Sequence, residues 1–375
     1  MNRGDEMHGD GKMSSGRFRV VKTPAVPTPS VSVVVPIYNM ESRGYLDELI
    51  SSLQSQTLDS IEFILVDDCS QDQSLNAALK LTSNDDRFAI LTSVKNGRQG
   101  AARNIGLDFA QGRYIGFVDG DDVVDSAYFE ELYNAAELEG AEIAVAPFVK
   151  TDAQLRRSSG PIMPIAREDT GKITPEKLAV LIQKPAHIVS CLYSARLFGD
   201  LGIRFPEGVF FEDNPTCLRL LCSARMIVAL PQAEGVPRYY YRQHGSSTDH
   251  RVDNLAEQIE DRLITSDLIL SDAKLHGYLA SNIDALELYY YRLALLNTLS
   301  KVSQIPCARS RKTAALKVRD HVRQNGRLPR LNSRFSQLSV RERLQIDVAL
   351  LAPIAYVGAA LFLARKEGRK ESNYD

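Results

Sequence analysis

Residues 114–122 read Tyr114-Ile-Gly-Phe-Val-Asp-Gly-Asp-Asp122, an apolar run that passes directly into three carboxylates within four positions. Burying an unpaired carboxylate is very costly, so a core strand does not carry charge at its tip unless something there uses it. Residues 114–118 read as such a strand, with Asp119, Asp121 and Asp122 emerging at its carboxyl end. In open α/β sheets ligands bind at this edge. Clustered hard oxygen donors suit Mg²⁺ or Mn²⁺, and a divalent ion so held commonly carries substrate phosphates as well. Asp-Gly-Asp-Asp is equally good turn chemistry, so the surrounding sequence has to discriminate.

Upstream, Val31-Ser-Val-Val-Val-Pro36 is a β-branched run ending at a proline, the pattern of a buried parallel strand and its exit loop. Leu46, Leu49, Ile50 and Leu53 recur at helical spacing. A second strand, Ile61-Glu-Phe-Ile-Leu-Val66, ends in Asp67 and Asp68. Residues 73–82 read as a helix, 88–93 as a third strand, 96–100 as a flexible loop and 101–110 as a helix. Strand–helix alternation predicts an α/β fold with a mostly parallel sheet and right-handed crossovers. Two strands end in aspartates, and two acidic ends on one sheet edge build one pocket. Beyond residue 125 the pattern is mixed: a helix at 126–139, a strand at 143–148, a polar loop at 150–172, short elements to 250, then helical periodicity from 253 to 300.

The chain has 375 residues, ordinary soluble composition and a net charge of −2, which gives no global drive toward nucleic acid. Residues 301–345 nevertheless hold twelve Lys/Arg against Asp320 and Glu342, a balance of +10. Five cysteines without a C-x-x-C pair read as reduced, in a cytoplasmic protein, and suggest no zinc site. Residues 1–29 lack a signal-peptide core and read as a disordered leader. Residues 251–345 read as a helical, basic extension. Residues 346–375 contain seventeen uncharged positions, 348–364, followed by Arg365, Lys366, Arg369 and Lys370. As a helix this spans about 25 Å at ~1.5 Å per residue, short of a bilayer core of roughly 30 Å. An interfacial helix on anionic lipid and a helix packed on the protein both fit.

Val31-Ser-Val-Val-Val-Pro-Ile-Tyr-Asn39, Val66-Asp-Asp-Cys-Ser-Gln-Asp72, residues 96–104 and Phe117-Val-Asp-Gly-Asp-Asp122 resemble, in order and spacing, the motifs of family 2 glycosyltransferases with the GT-A fold. The resemblance covers 30–250, with a nucleotide-binding half (30–125) and an acceptor and catalytic half (126–250). It implies an inverting enzyme that moves a sugar from a nucleoside diphosphate donor, commonly a UDP-sugar, to a hydroxyl of a glycan or lipid-linked acceptor, as in cell-surface polysaccharide synthesis. It also implies roles residue by residue. Asp121 is the expected metal ligand, with Asp119 beside the ribose and metal and Asp122 left open. Asp68 is expected at the uracil ring, and Pro36, Tyr38 and Asn39 in the first nucleotide loop. Arg103 and Asn104 open a helix that contacts the nucleotide. Val209-Phe-Phe-Glu-Asp-Asn214 resembles the motif in which Asp213 is the general base and Glu212 orients the acceptor. Tyr239-Tyr-Tyr-Arg-Gln-His244, with Ser246 and Ser247, resembles the segment over the diphosphate, with Arg242 on phosphate and His244 as a further metal ligand or a pyrophosphate contact.

A divalent cation held by carboxylates would offset the charge that grows on the diphosphate. The bland alternatives are helix capping by Asp68 and a simple helix start at Glu212 and Asp213. No tryptophan is present, so the Gln-x-x-Arg-Trp motif of processive synthases is absent. A nucleotidyltransferase and a non-catalytic sugar-nucleotide scaffold are the competing classes; the former lacks its Gly-rich activation loop at the first strand. A cytoplasmic enzyme, peripheral at the inner face of the plasma membrane, is the expected setting.

Overall fold

The computed structural model describes residues 14–41, 44–184, 187–244 and 254–371. Ser246, Ser247 and residues 1–13 of the expected leader lie outside the described residues. The chain forms two compact units, 1–177 with 184–244 and 178–183 with 245–375.

The first unit opens with β1 (Ser14–Ser15), β2 (Phe18–Lys22), β3 (Val31–Ile37), α1 (Tyr45–Gln54), β4 (Ile61–Asp67) and α2 (Ser74–Leu81). It continues through β5 (Phe88–Ser93), α3 (Arg98–Phe109), β6 (Tyr114–Phe117), β7 (Val123–Val124), α4 (Tyr128–Glu139), β8 (Ile143–Val145) and β9 (Phe148–Thr151). Then follow β10 (Gly171–Lys172), α5 (Pro175–Leu181, whose residues from 178 belong to the second unit), β11 (Cys191–Ser194), α6 (Ala195–Gly199), α7 (Asp213–Ser223), β12 (Met226–Ala229) and β13 (Tyr239–Arg242).

A ten-stranded sheet runs β1-β2-β5-β4-β3-β6-β11-β8-β12-β10. Its middle, β5-β4-β3-β6, is parallel, as the alternation predicted. Every residue of β3, β4 and β5 is buried, because helices cover both faces and leave no place for an alternating polar side. Gly106 lets α3 close onto β3: a Cβ there would stand 2.3 Å from Val34 Cγ1. A small second sheet, β7-β13-β9, joins the segment after the acidic cluster to β13.

Two expectations change here. Residues 14–22 are not a disordered leader: β2 pairs antiparallel with the outer edge of β5, matching Phe18 to Ser93 and Val20 to Leu91, and Val20 is buried. An open strand edge offers unpaired backbone groups, a partner that composition cannot reveal. The strand expected at 143–148 is two strands in two sheets, β8 and β9, with Pro147 at the crossing, where it has no N–H to give to a ladder.

The second unit contains α8 (Leu255–Leu275), α9 (Tyr278–Tyr290), a π-helical stretch 291–297, α10 (Thr298–Val302), α11 (Ala308–Asn325), α12 (Val340–Leu351) and α13 (Pro353–Glu371). Ile259, Leu263, Tyr290, Leu295, Val318 and Ile346 belong to its own core. The apolar run 348–364 is split between α12 and α13. Ala352 leaves helical geometry at φ −136°, and Pro353 cannot extend the α12 hydrogen-bond ladder. Among the described residues no helix is long and apolar enough to cross a membrane.

Candidate active site

The chain runs β3, β4, β5 to one side of the sheet and then returns to β6 on the other side of β3. The switch point therefore lies between the carboxyl ends of β3 and β6, where such sheets bind ligands. The loop after β6 carries Asp119, Asp121 and Asp122. Pro36 is buried inside β3, and its carbonyl oxygen would lie 3.0 Å from a Cβ at Gly120, so the two loops approach closely. Tyr38 is 41% exposed, while Asn39 adopts φ 49° and ties its loop to the next: its N–H donates to Ser70 Oγ at 3.0 Å and its Oδ1 accepts from Gln71 N at 2.8 Å. Cys69, Arg98 and Phe211 also have positive φ. Asn39, Cys69 and Phe211 sit in loops and Arg98 at the start of α3, and such strained backbone persists only where surrounding contacts over-determine it.

At the centre of the cluster is an ion-pair bridge. Arg103, on α3, is 2% exposed. Its Nη2 donates to Asp119 Oδ1 at 2.6 Å and its Nη1 to Glu212 Oε1. Its charge is stabilised by Asp119, Glu212 and Asp213, which outweigh burial and raise its pKa. Glu212 is buried, and its carboxyl is pushed up to about 7 by that burial and by Asp213, against the downward pull of Arg103. Asp213 opens α7 half-buried, and its side chain makes no hydrogen bond or salt bridge among the described residues. The arrangement thus leaves one carboxylate ungripped next to two that are held.

Tyr239 braces the loop from below. Its hydroxyl accepts from the Asp119 N–H at 3.0 Å and donates to Asp122 Oδ2 at 2.6 Å. Asp122 also accepts from the Arg242 N–H at 2.7 Å. Burial and the nearby Asp121 and Asp119 raise its pKa well above the ordinary carboxylate range. Asp121 points elsewhere: its Oδ2 lies 2.7 Å from His244 Nε2, and the His244 ring packs on Tyr45 with centroids 5.2 Å apart. A carboxylate and an imidazole facing one another are donors that a divalent ion accepts, although among the described residues no group of three or more His, Cys, Asp or Glu gathers for one.

Residues 32–195 match the family model described as Glycosyl transferase family 2. That span is a family 2 glycosyltransferase domain. The chain is 36% identical over 227 residues to the uncharacterized glycosyltransferase EpsJ of Bacillus subtilis (strain 168), covering 58% of this chain and 62% of EpsJ. It is 32% identical over 174 residues to the putative glycosyltransferase EpsH of the same organism, covering 46% of this chain and 45% of EpsH. The chain therefore spans about half to three-fifths of these relatives' lengths. Among solved structures, S. aureus TarS 1–349 in complex with UDP-GlcNAc matches with a TM-score of 0.63 and 19% identity, covering 90% of this chain and 92% of that one. The likeness gives the fold, a GT-A domain followed by helices.

Several of the expected site residues make their contacts with other groups of the protein. The Arg103 guanidinium holds Asp119 and Glu212. Glu212 faces Arg103 in that bridge. Asn104 brackets the loop before α7, donating to Phe205 O and Glu207 Oε1 and accepting from Phe205 N, each at 2.9 Å. Arg242 is buried: it donates to Ala153 O at 2.9 Å and Glu48 Oε2 at 2.5 Å, with its guanidinium 4.1 Å from the Tyr45 ring centroid. Asp68 anchors the start of α3, accepting from Ser93 Oγ at 3.1 Å and Gly97 N at 2.9 Å; the following helix, α2, is capped instead by Asp72 through Ser74 N at 2.9 Å. These side chains are long or polar enough to reach either way, and only packing chooses. Sequence reading missed Tyr239, one of three successive tyrosines with nothing to single it out. It also missed Gly100, where a Cβ would stand 2.1 Å from Pro206 O.

Proposed function

We propose that this chain is an inverting glycosyltransferase using a nucleoside diphosphate sugar, with a UDP-sugar as first choice, and a glycan or lipid-linked acceptor at the cytoplasmic face of the membrane. The observation that carries the reading is the contrast between Glu212, gripped by Arg103, and Asp213, half-buried beside the switch point without a hydrogen-bond partner among the described residues. A general base must be free to receive a proton within reach of the acceptor. Asp213 takes the acceptor hydroxyl proton as that oxygen bonds to the anomeric carbon, and the bond from that carbon to the diphosphate oxygen breaks on the opposite face. One displacement inverts the centre without a protein nucleophile.

Arg103 fixes Asp119 and Glu212 and so orients the acids without touching substrate. Asp68 keeps acceptor capacity, since a carboxylate offers about four lone-pair sites, and one remaining site suits the N–H of a uracil edge. Tyr38 is exposed and suited to stacking on a base. Asp121 and His244 are the pair suited to hold Mg²⁺ or Mn²⁺, which when bound would offset charge on the diphosphate. Fold neighbours prepared with UDP-GlcNAc and with GDP-Man differ in nucleotide, so the donor is chosen by experiment. UDP-, GDP- and dTDP-sugars are screened by thermal shift and by Mn²⁺-dependent hydrolysis, with product anomeric configuration read by NMR. A retained anomeric configuration, or full transfer by Asp213→Asn, refutes the mechanism; no response to any donor refutes the class.

A further inference from the structure

α13 presents a face that an ordinary surface helix lacks. No charged residue occurs from 353 to 364. At 3.6 residues per turn, Val357 turns into the second unit's core with Ile346, Ala349 and Leu350. Ile354, Ala355, Gly358, Ala359, Phe362 and Leu363 fall on the opposite arc and are exposed, Phe362 to 68%. α12 carries a matching row, with Val340, Leu344 and Leu351 at i, i+4 and i+11, all more than half exposed; Asp347 is the one acid at that spacing. A helix apolar on both sides belongs in a core or against lipid, and contiguous exposed apolar surface marks an interaction site.

Charge selects what covers it. Residues 301–345 are +10, and 365–371 add Arg365, Lys366, Arg369 and Lys370 against Glu367 and Glu371. Arg330 and Arg341 are exposed without an acidic partner among the described residues. A symmetric pairing with a second copy would set the same patch against itself, basic rim to basic rim. Anionic headgroups complement both the apolar arc and the basic rim.

We propose that the exposed α12–α13 face docks on an anionic lipid surface, with α13 lying in the plane of the interface. The proposal rests on the transferase reading only for its purpose, bringing the chain to a lipid-linked acceptor; its evidence is the helix face. The test is co-sedimentation of the full chain with vesicles of phosphatidylcholine alone or with about 30% phosphatidylglycerol. The full chain is expected to bind the anionic vesicles roughly tenfold or more tightly than the neutral ones. Phe362→Ser with Leu363→Ser should weaken that binding by about tenfold or more, the burial of two large side chains being lost. Replacing the four basic residues at 365–370 by Gln should weaken the preference for anionic lipid, with the basic residues of 301–345 supplying the remainder; an unchanged preference counts against the proposal. Both side chains of the Ser pair are exposed, so an unchanged thermal midpoint is the folding control. Absence of binding to anionic vesicles, or binding indifferent to the Ser pair, overturns the proposal. So does a dimer in light scattering that the Ser pair dissolves while vesicle binding is absent. Donor hydrolysis in free solution is scored separately: hydrolysis without vesicle binding sinks the docking face alone, and vesicle binding without response to any donor sinks the transferase reading alone.

Discussion

Arg103→Met removes the one cation between two acids and leaves Glu212 buried without a counter-charge. Two unit charges about 4 Å apart attract by about 4 kcal/mol at an effective dielectric constant of about 20, and breaking a buried pair from one side costs about 3–5 kcal/mol. Asp119 is partly exposed and recovers some hydration, so most of this cost falls on Glu212. The sign with pH follows from linkage. In the intact protein the Glu212 carboxyl sits at about 7, above its ordinary 4.5, so the folded state binds a proton that the unfolded chain has released. Stability from this group therefore falls as pH rises from about 4.5 to about 7, and then levels as the folded state releases the proton as well. Without Arg103 its largest downward influence is gone and the proton is held above 7. The variant's penalty should then grow by about 1.4 kcal/mol between pH 7 and pH 8. Hydrogen exchange of peptides covering 98–109 and 205–223, measured at both pH values, reads the local opening free energy. Adding Glu212→Gln should remove the growth with pH and return much of the loss, because the two sites share one interaction. A penalty below about 1 kcal/mol, or one that does not change with pH, would refute the reasoning that a buried ion pair holds this loop.

The remaining expectations are simpler. Gly100→Ala places a methyl group 2.1 Å from Pro206 O, so it should cost about 1–3 kcal/mol by overpacking, measured as a lower thermal midpoint. Tyr239→Phe removes the hydroxyl that links the Asp119 N–H to Asp122; with a buried carboxylate left short of a donor the loss should be about 1–3 kcal/mol, and an unchanged urea midpoint would count against the brace. Asp121→Ala and His244→Ala should each raise the Mn²⁺ concentration needed for half-maximal donor binding by calorimetry, while donor binding measured without metal stays unchanged.

By itself the sequence determined the central sheet and the position of the acidic edge. Long β-branched runs such as Val31–Ile37 and Ile61–Asp67 have no polar face to turn outward, so they can only be inner strands of a covered parallel sheet. Asp119, Asp121 and Asp122 must then follow the strand that closes the switch point. Local pattern also carried α1, α4 and the helical periodicity from 253 onward. Partners distant in sequence were beyond its reach. Arg103 meets Asp119 and Glu212, the latter 109 positions away, and a flexible side chain bears no mark of which way it turns. The same holds for Arg242, drawn inward to Glu48 across 194 positions, and for Asn104 gripping Phe205. Residues 18–22 became a strand because the β5 edge was open to them. The apolar run at 348–364 broke at Pro353 and turned one side to a core and the other to solvent. Covalent pattern and hydrophobic period act over a few residues, whereas the choice of ion-pair partner, strand edge and exposed face is made by packing between segments that meet only in the folded chain.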